Sequence, residues 1–151
     1  ADRQRCGSRL LTNRLFEVAL IQVLRWVVDH PDAAGVNHGL MRGLSDARLA
    51  RTLVALHQAP QEEWTLPRMA AIAGLSRSAF AAVFKDVMQT TPASHLLDWR
   101  LSLACAQLRA GAPVKQVAVE VGFADTASLS KAFRKRMGVS PRAWLAQVAA
   151  M

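Results

Sequence analysis

A chain of 151 residues, 52% hydrophobic and 20% charged, can form one ordinary domain, or a small domain with an appendage, and is too apolar to be disordered. Nineteen Lys and Arg against eleven Asp and Glu leave a formal charge of +8, which suits an anionic partner such as nucleic acid or an acidic membrane surface, and also serves solubility. The two cysteines, Cys6 and Cys105, lie 99 residues apart without CxxC or Cys/His spacing and read as reduced cytosolic thiols, which excludes a disulfide framework. His30, His38, His57 and His95 are scattered and make no ligand cluster, so no metal and no cofactor is expected. There is no signal peptide, and no apolar run approaches the ~20 residues of a spanning helix. The chain opens on Ala1 without an initiator Met, as a fragment of something longer does.

Gly7 and Ser8 open a helical pattern that runs to about Asp29 and stops before Pro31. Arg14, Glu17, Gln22, Arg25 and Asp29 fall on one arc at about 100° per residue. The apolar remainder, Leu15, Phe16, Val18, Leu20, Ile21, Val23, Leu24, Trp26, Val27 and Val28, wraps more than half the circumference. Such a helix is expected to be buried on more than one side, within the same globule, against a missing N-terminal domain, or in a dimer contact. Residues 31–39, PDAAGVNHG, are turn-rich and read as a linker. Ser45 or Asp46 then caps a helix from Ala47 to about His57, with Leu49, Leu53, Val54 and Leu56 as its apolar face, and Ala59-Pro60 ends it.

Residues 66–84, LPRMAAIAGLSRSAFAAVF, have the grammar of a helix-turn-helix. Thr65 caps a first short helix with Pro67 in its first turn, and Ala70 sits four residues before Gly74. A small residue lets two helices approach, and glycine allows the left-handed backbone of a short turn. Ser76 caps the second helix, in which Phe80, Val83, Phe84 and Val87 form one buried stripe. Arg77, Ser78, Ala81, Ala82 and Lys85 are left on the other side, which in a DNA-binding helix-turn-helix faces the major groove.

Thr91-Pro92 then starts a long helix to Arg109 or Ala110, stopped by Gly111, with Leu96, Leu97, Leu101, Ala104, Cys105 and Leu108 at helical spacing. Its eighteen residues make a rod of roughly 27 Å. Pro113 opens a short helix over residues 114–121, closed by Gly122. Another runs from about Thr126 to Met137 before Gly138, and Ser140-Pro141 starts a last one through about Val148. No stretch alternates as a strand, so the fold class is all-α.

The helix-turn-helix is written twice. LPRMAAIAGLSRSAFAAVFKDVMQTTP aligns with VKQVAVEVGFADTASLSKAFRKRMGVSP. Ala70 and Gly74 correspond to Ala118 and Gly122, while Phe80, Phe84, Met88 and Pro92 correspond to Leu129, Phe133, Met137 and Pro141, with one residue inserted at Ala124-Asp125. The expected architecture is two helix-turn-helix subdomains joined by a long linker helix, about seven helices, preceded by an extra N-terminal apolar helix. The rod is close to the ~34 Å repeat of B-DNA, so it can set two recognition helices into successive major-groove segments. From Thr126 onward Lys131, Arg134, Lys135, Arg136 and Arg142 occur with no acidic residue, which suits phosphate contacts.

Trp64-Thr65, Ala70, Gly74, the run SRSAF from Ser76 to Phe80, Phe84, Thr91-Pro92, Arg100-Leu101 with Ala104, Val121-Gly122-Phe123, Asp125, Phe133, and Ser140-Pro141 with Trp144 together resemble the AraC/XylS family of bacterial transcription regulators, over about residues 46–144. The segment SDARLARTLVALHQAP resembles the branch whose N-terminal half is a cupin-type sensor. On that resemblance, residues 1–38 are the end of a sensor or dimerisation region plus a linker, with the sensor itself absent. Residues 44–151 are then the DNA-binding domain, with a first unit at about 46–91, the linker helix at about 92–110 and a second unit at about 113–148.

The resemblance implies a sequence-specific DNA-binding transcription regulator, an activator, without chemistry of its own, in the bacterial cytoplasm. Its implied partners are double-stranded DNA and RNA polymerase, with a homodimer formed through the N-terminal helix or the absent sensor and no membrane involvement. Mapped by position, the first recognition helix presents Arg77, Ser78, Ala81 and Ala82, with Lys85 towards phosphate. The second presents Thr126, Ala127, Ser128, Ser130 and Lys131, with Arg134 and Lys135 towards the backbone. Ala81 and Ala82 stand where the family often carries larger polar side chains, so base readout by the first helix should be sparse and lean on Arg77 and Ser78. Leu129 stands where an aromatic is usual, which is a packing change. Two other classes compete: a DNA-repair methyl acceptor, which needs a thiolate beside cations or a metal, and a helical module that binds protein alone.

Overall fold

A side-chain oxygen at the start of a helix satisfies backbone N–H groups that have no partner within it, and this rule places most helix starts in the chain. The computed structural model describes residues 17–23, 25–26, 43–44 and 46–149. Asp46 accepts from the backbone N–H groups of Arg48 (2.9 Å) and Leu49 (3.5 Å) to start α1 (Ala47–Gln58). The Arg48 guanidinium beside it, together with that backbone bond, holds the Asp46 carboxyl at about 2. Thr65 starts α2 (Leu66–Ala73), which ends on Gly74 in the left-handed region at φ 70°. Ser76 starts α3 (Arg77–Met88), and Thr91 starts α4 (Pro92–Arg109), eighteen residues long. Then come α5 (Val114–Glu120), α6 (Thr126–Met137) and α7 (Pro141–Ala149), with no strand among the described residues.

The chain divides into two compact units, Ala1–Met41 and Arg42–Met151. In the first, residues 17–23 and 25–26 are helical, as the sequence pattern predicts. Val18, Leu20, Ile21, Val23 and Trp26 are exposed. The rest of that helix and the 31–39 linker lie outside the described residues.

In the second unit the leading helix-turn-helix buries Leu49, Leu53 and Leu56 of α1, Met69, Ala70 and Ala73 of α2, and Phe80, Phe84 and Met88 of α3. The Phe80 and Phe84 rings meet at 5.5 Å. The expected face of α1 needs one correction. Val54 is exposed, because it lies about 140° around the helix from Leu49 at 100° per residue. Thr52 takes its place, fully buried, with its hydroxyl donating to the Met69 carbonyl at 3.2 Å. On α3, Val83 and Val87 are half-buried and Met88 completes the stripe.

The second copy repeats the plan around Leu101, Ala104 and Leu108 of α4, Val117, Ala118 and Val121 from the α5 region, and Leu129 and Phe133 of α6, with Trp144 of α7 packed edge-on to Phe133. Truncating a fully buried ring such as Phe133 to Ala typically costs about 3–5 kcal/mol. The repeat breaks at Met137, which is exposed although its counterpart Met88 is buried. In the first unit Gly43 lies close against both Met88 and Leu53, and α4 stands before α5 as α1 stands before α2.

Two of the four histidines are not scattered. His57 of α1 and His95 of α4 meet with their Nε2 atoms 3.0 Å apart, and His57 packs on Trp99 at 4.4 Å between ring centroids. Burial pushes both imidazole pKa values below the ordinary 6.5; at His95 the neighbouring His57 adds to this and Asp98 opposes it. The fold therefore favours neutral rings, and below about pH 6.5 the unfolded chain binds more protons than the folded one. Stability should be complete above that value and decline as pH falls below it. Thermal melts between about pH 7.5 and pH 5.5 should show this decline, and the double variant His57→Gln, His95→Gln should flatten it.

Candidate nucleic-acid interface

Each copy of the repeat exposes one face of its second helix next to the turn that starts it. On α3, Arg77, Ser78, Ala82 and Lys85 are exposed and Ala81 is half-buried. Ser76 holds the helix start by accepting from the Ala79 N–H at 3.3 Å, and its Oγ also lies 3.3 Å from the Ser78 hydroxyl. Leu66, Ser76, Arg77, Ser78 and Ala81 line an open groove at this end of α3. Among the described residues Arg77 is its one cation, and Ala81 offers a methyl group, which can meet thymine but donates no hydrogen bond.

On α6, Thr126, Ala127, Ser128, Lys131, Arg134 and Lys135 are exposed and Ser130 is half-buried. Asp125 caps this helix, accepting from the Ser128 N–H at 2.7 Å, and that bond holds its carboxyl below the usual range. Thr126, Ser130 and Arg134 share a groove with Lys115 from the first turn of α5, and with Ser140 and Arg142 at the start of α7. Three cations and three hydroxyls from three helices thus converge on one open surface. Such a set matches phosphate oxygens, since the cations supply charge and the hydroxyls supply directional donors.

The structure brings together Thr126, Ser130 and Arg134 in this groove, and Arg77, Ser78 and Ala81 in the other. Arg136 departs from expectation. Its Nη2 donates to Asp98 Oδ2 on α4, so it braces α6 against the linker helix. Lys115 was not expected in the interface. It lies on the supporting helix of its unit, and only the convergence of three helix starts reveals it.

Cys105 is half-buried against the second core, and desolvation pushes its thiol up although Arg109 pulls the other way. A methyl acceptor needs the opposite, a stabilised thiolate. Cys6 lies outside the described residues. Among the described residues no group of three or more His, Cys, Asp or Glu is placed to hold a metal ion, and no helix is long and apolar enough to cross a membrane.

The fold and its paired exposed helices define a tandem helix-turn-helix protein, and residues 69–147 match the family described as helix-turn-helix domain. A Streptomyces antibioticus protein named as an AraC-like transcription regulator is 38% identical over 140 residues, covering 91% of this chain and 45% of that protein. RclR of Escherichia coli K12, named an RCS-specific HTH-type transcriptional activator, is 37% identical over 95 residues, 62% of this chain and 34% of RclR. The solved DNA-binding domain of AdpA, in complex with a target DNA, superposes with a TM-score of 0.63 at 27% identity, over 67% of this chain and 92% of that one. The chain belongs to the AraC-type helix-turn-helix family. It spans less than half the length of the curated relatives it matches.

Proposed function

We propose that this chain is the DNA-reading half of a bacterial transcription regulator, with α3 and α6 entering adjacent major-groove segments. The observation that carries the reading is the pair of capped helices with exposed polar faces, joined through one eighteen-residue helix of roughly 27 Å. Arg77 and Ser78 read bases from α3, with Ala81 and Ala82 contributing methyl contacts and Lys85 meeting phosphate. On α6, Thr126, Ala127, Ser128, Ser130 and Lys131 face bases, while Arg134 and Lys135 meet the backbone with Lys115 and Arg142 beside them. The presence of AdpA's domain on target DNA supports the same role for this fold.

In this reading the protein acts in the bacterial cytoplasm as an activator that works with RNA polymerase, a role supported by the name of RclR. Residues 1–38 belong to the sensor or dimerisation region, and residues 44–151 form the reader. The exposed Val18, Leu20, Ile21 and Val23 support assigning the N-terminal helix to pairing of two copies or to contact with a sensor half. No chemistry on the DNA is assigned to Cys105, given its raised thiol.

Binding to a specific duplex should weaken steeply as salt rises. Arg134→Ala should weaken all sequences about equally and lower the slope of log affinity against log salt by about 1, as measured by fluorescence anisotropy. Affinity independent of salt would overturn the electrostatic part. Footprinting should reveal two protected major-groove segments about 10 bp apart on one face. A single short segment would mean that the second unit does not read DNA. Arg77→Ala should cost about 1–3 kcal/mol and relax preference at one or two base pairs, which selection from a random duplex pool would detect.

A further inference from the structure

Arg100, mid-way along α4, reaches back to the connection between α1 and α2. Its Nε donates to the Pro60 carbonyl at 2.8 Å, and its Nη2 to the Glu62 carbonyl at 3.0 Å. That connection is itself braced. Trp64 Nε1 donates to the Ala59 carbonyl at 2.8 Å, Arg68 Nη1 donates to the Glu63 carbonyl at 2.9 Å, and Arg68 lies over the Trp64 ring while pairing with the Glu62 carboxylate. The backbone on either side of the two acceptors is therefore tied by bonds that do not involve Arg100, and its planar fork fixes direction as well as distance.

The turn of the second unit closes on the same guanidinium. A Cβ added at Gly122 would lie 2.8 Å from Arg100 Nη2 and 2.8 Å from the Cα of Gln61, a backbone atom that cannot swing away. The repeat provides an internal comparison. Gly74 holds the same place in the first unit, and nothing lies within 4 Å of a Cβ added there. Both glycines have positive φ, 70° and 90°, so turn geometry accounts for both. Only Gly122 must also lack a side chain for packing, and what it packs against belongs to the other unit.

We propose that Arg100, seated between the 60–62 backbone and Gly122, is a positioning residue that sets the angle between the two helix-turn-helix units and so restricts recognition to one spacing of half-sites. The second half of this inference rests on the DNA-reading function proposed above. A tilt of roughly 10° at the joint, carried over an arm of two helix diameters (~20 Å), displaces a recognition helix by about 3.4 Å, one base-pair step. With a stiff joint, the second unit binds as an intramolecular event when the spacing fits and loses that advantage when it does not.

Two measurements on the full chain test this. The first needs no DNA: spin labels at Ala82→Cys and Lys131→Cys, in a Cys6→Ser, Cys105→Ala background, report the distance between α3 and α6. The distribution should be narrow with Arg100 present, broaden to about twice its width in Arg100→Met, and shift its mean in Gly122→Ala. Arg100→Lys, which keeps the charge without the fork, should fall between. If the distribution stays as narrow and as centred in both Arg100→Met and Gly122→Ala, the joint is not set there. The second measurement uses the unlabelled variants on duplexes whose half-sites are spaced from about 9 to about 12 bp, and on a duplex with one half-site. A preference of about a hundredfold for the best spacing should fall to about tenfold in Arg100→Met, with single-site affinity unchanged within about twofold.

A broadened distance with an unchanged spacing preference would overturn the role in specificity. Equal loss on single and paired sites, with a lowered melting temperature, would reduce Arg100 to a stabilising role and overturn the proposal. If the unsubstituted chain binds no duplex, the DNA-reading function fails, and the distance measurement alone decides whether the joint exists.

Discussion

Helix α4 is a wall of two cores at once, and the rest of the second compact unit depends on that sharing. Near its start His95 packs edge-on to Phe84 of α3 and Leu96 is buried, while Leu101, Ala104 and Leu108 are central to the second core. Neither core is large: apart from α4, the second draws its fully buried side chains from five residues between Val117 and Phe133. Domains of such size bury too small a fraction of their surface to be securely stable. Removing α4 would strip one side from both, so the two helix-turn-helix units are expected to fold together. Three polar links cross the same helix: the His57–His95 contact, the Arg100 bonds to the 60–62 backbone, and the Arg136–Asp98 pair. Each ties α4 to a different element, which limits how far either unit can turn about it.

Charge is divided unequally between the copies. The last turn of α6 carries Arg134, Lys135 and Arg136, where cations also meet the negative end of the helix dipole, while the last turn of α3 carries Lys85 alone. Arg136 is engaged with Asp98, and Lys115 and Arg142 restore the count around Arg134. In the proposed complex the second unit supplies most of the attraction to phosphate. The first contributes through a narrower set of contacts, centred on Arg77.

What could be read from the amino acids divides along one line. Features that depend on near neighbours were legible: the caps at Thr65, Ser76 and Thr91, the turn glycines Gly74 and Gly122, and the eighteen-residue α4 each follow from a few consecutive residues. The repeat made the tandem architecture legible as well. Features that need two distant segments were not. His57 and His95 are 38 residues apart, as are Asp98 and Arg136, and helical periodicity says which face a residue occupies but not what lies opposite. Val54 is apolar yet lies off the angle of the buried face, and Thr52 is buried only because its hydroxyl reaches the Met69 carbonyl, a partner 17 residues away. That Thr126, Ser130 and Arg134 share a face follows from helical spacing, but the approach of Lys115 to them depends on how α5, α6 and α7 converge.

The alanine-rich outer face of α3 bears on how such a protein changes over generations. Ala82 is exposed, and the core of its unit is completed by Phe80, Phe84 and Met88 without it. Replacing Ala82 by Gln, Arg, Lys or Glu costs only a few tenths of a kcal/mol in helix propensity. On the proposed reading, an outward substitution at position 82 changes what α3 offers to the bases with no repacking to accompany it. Position 136 on α6 differs, since Arg136 also pairs with Asp98 of the linker helix. The two copies of the repeat therefore differ in one respect: the outer face of α3 is free of ties to the rest of the fold at position 82, while α6 carries a side chain that also contacts the linker helix.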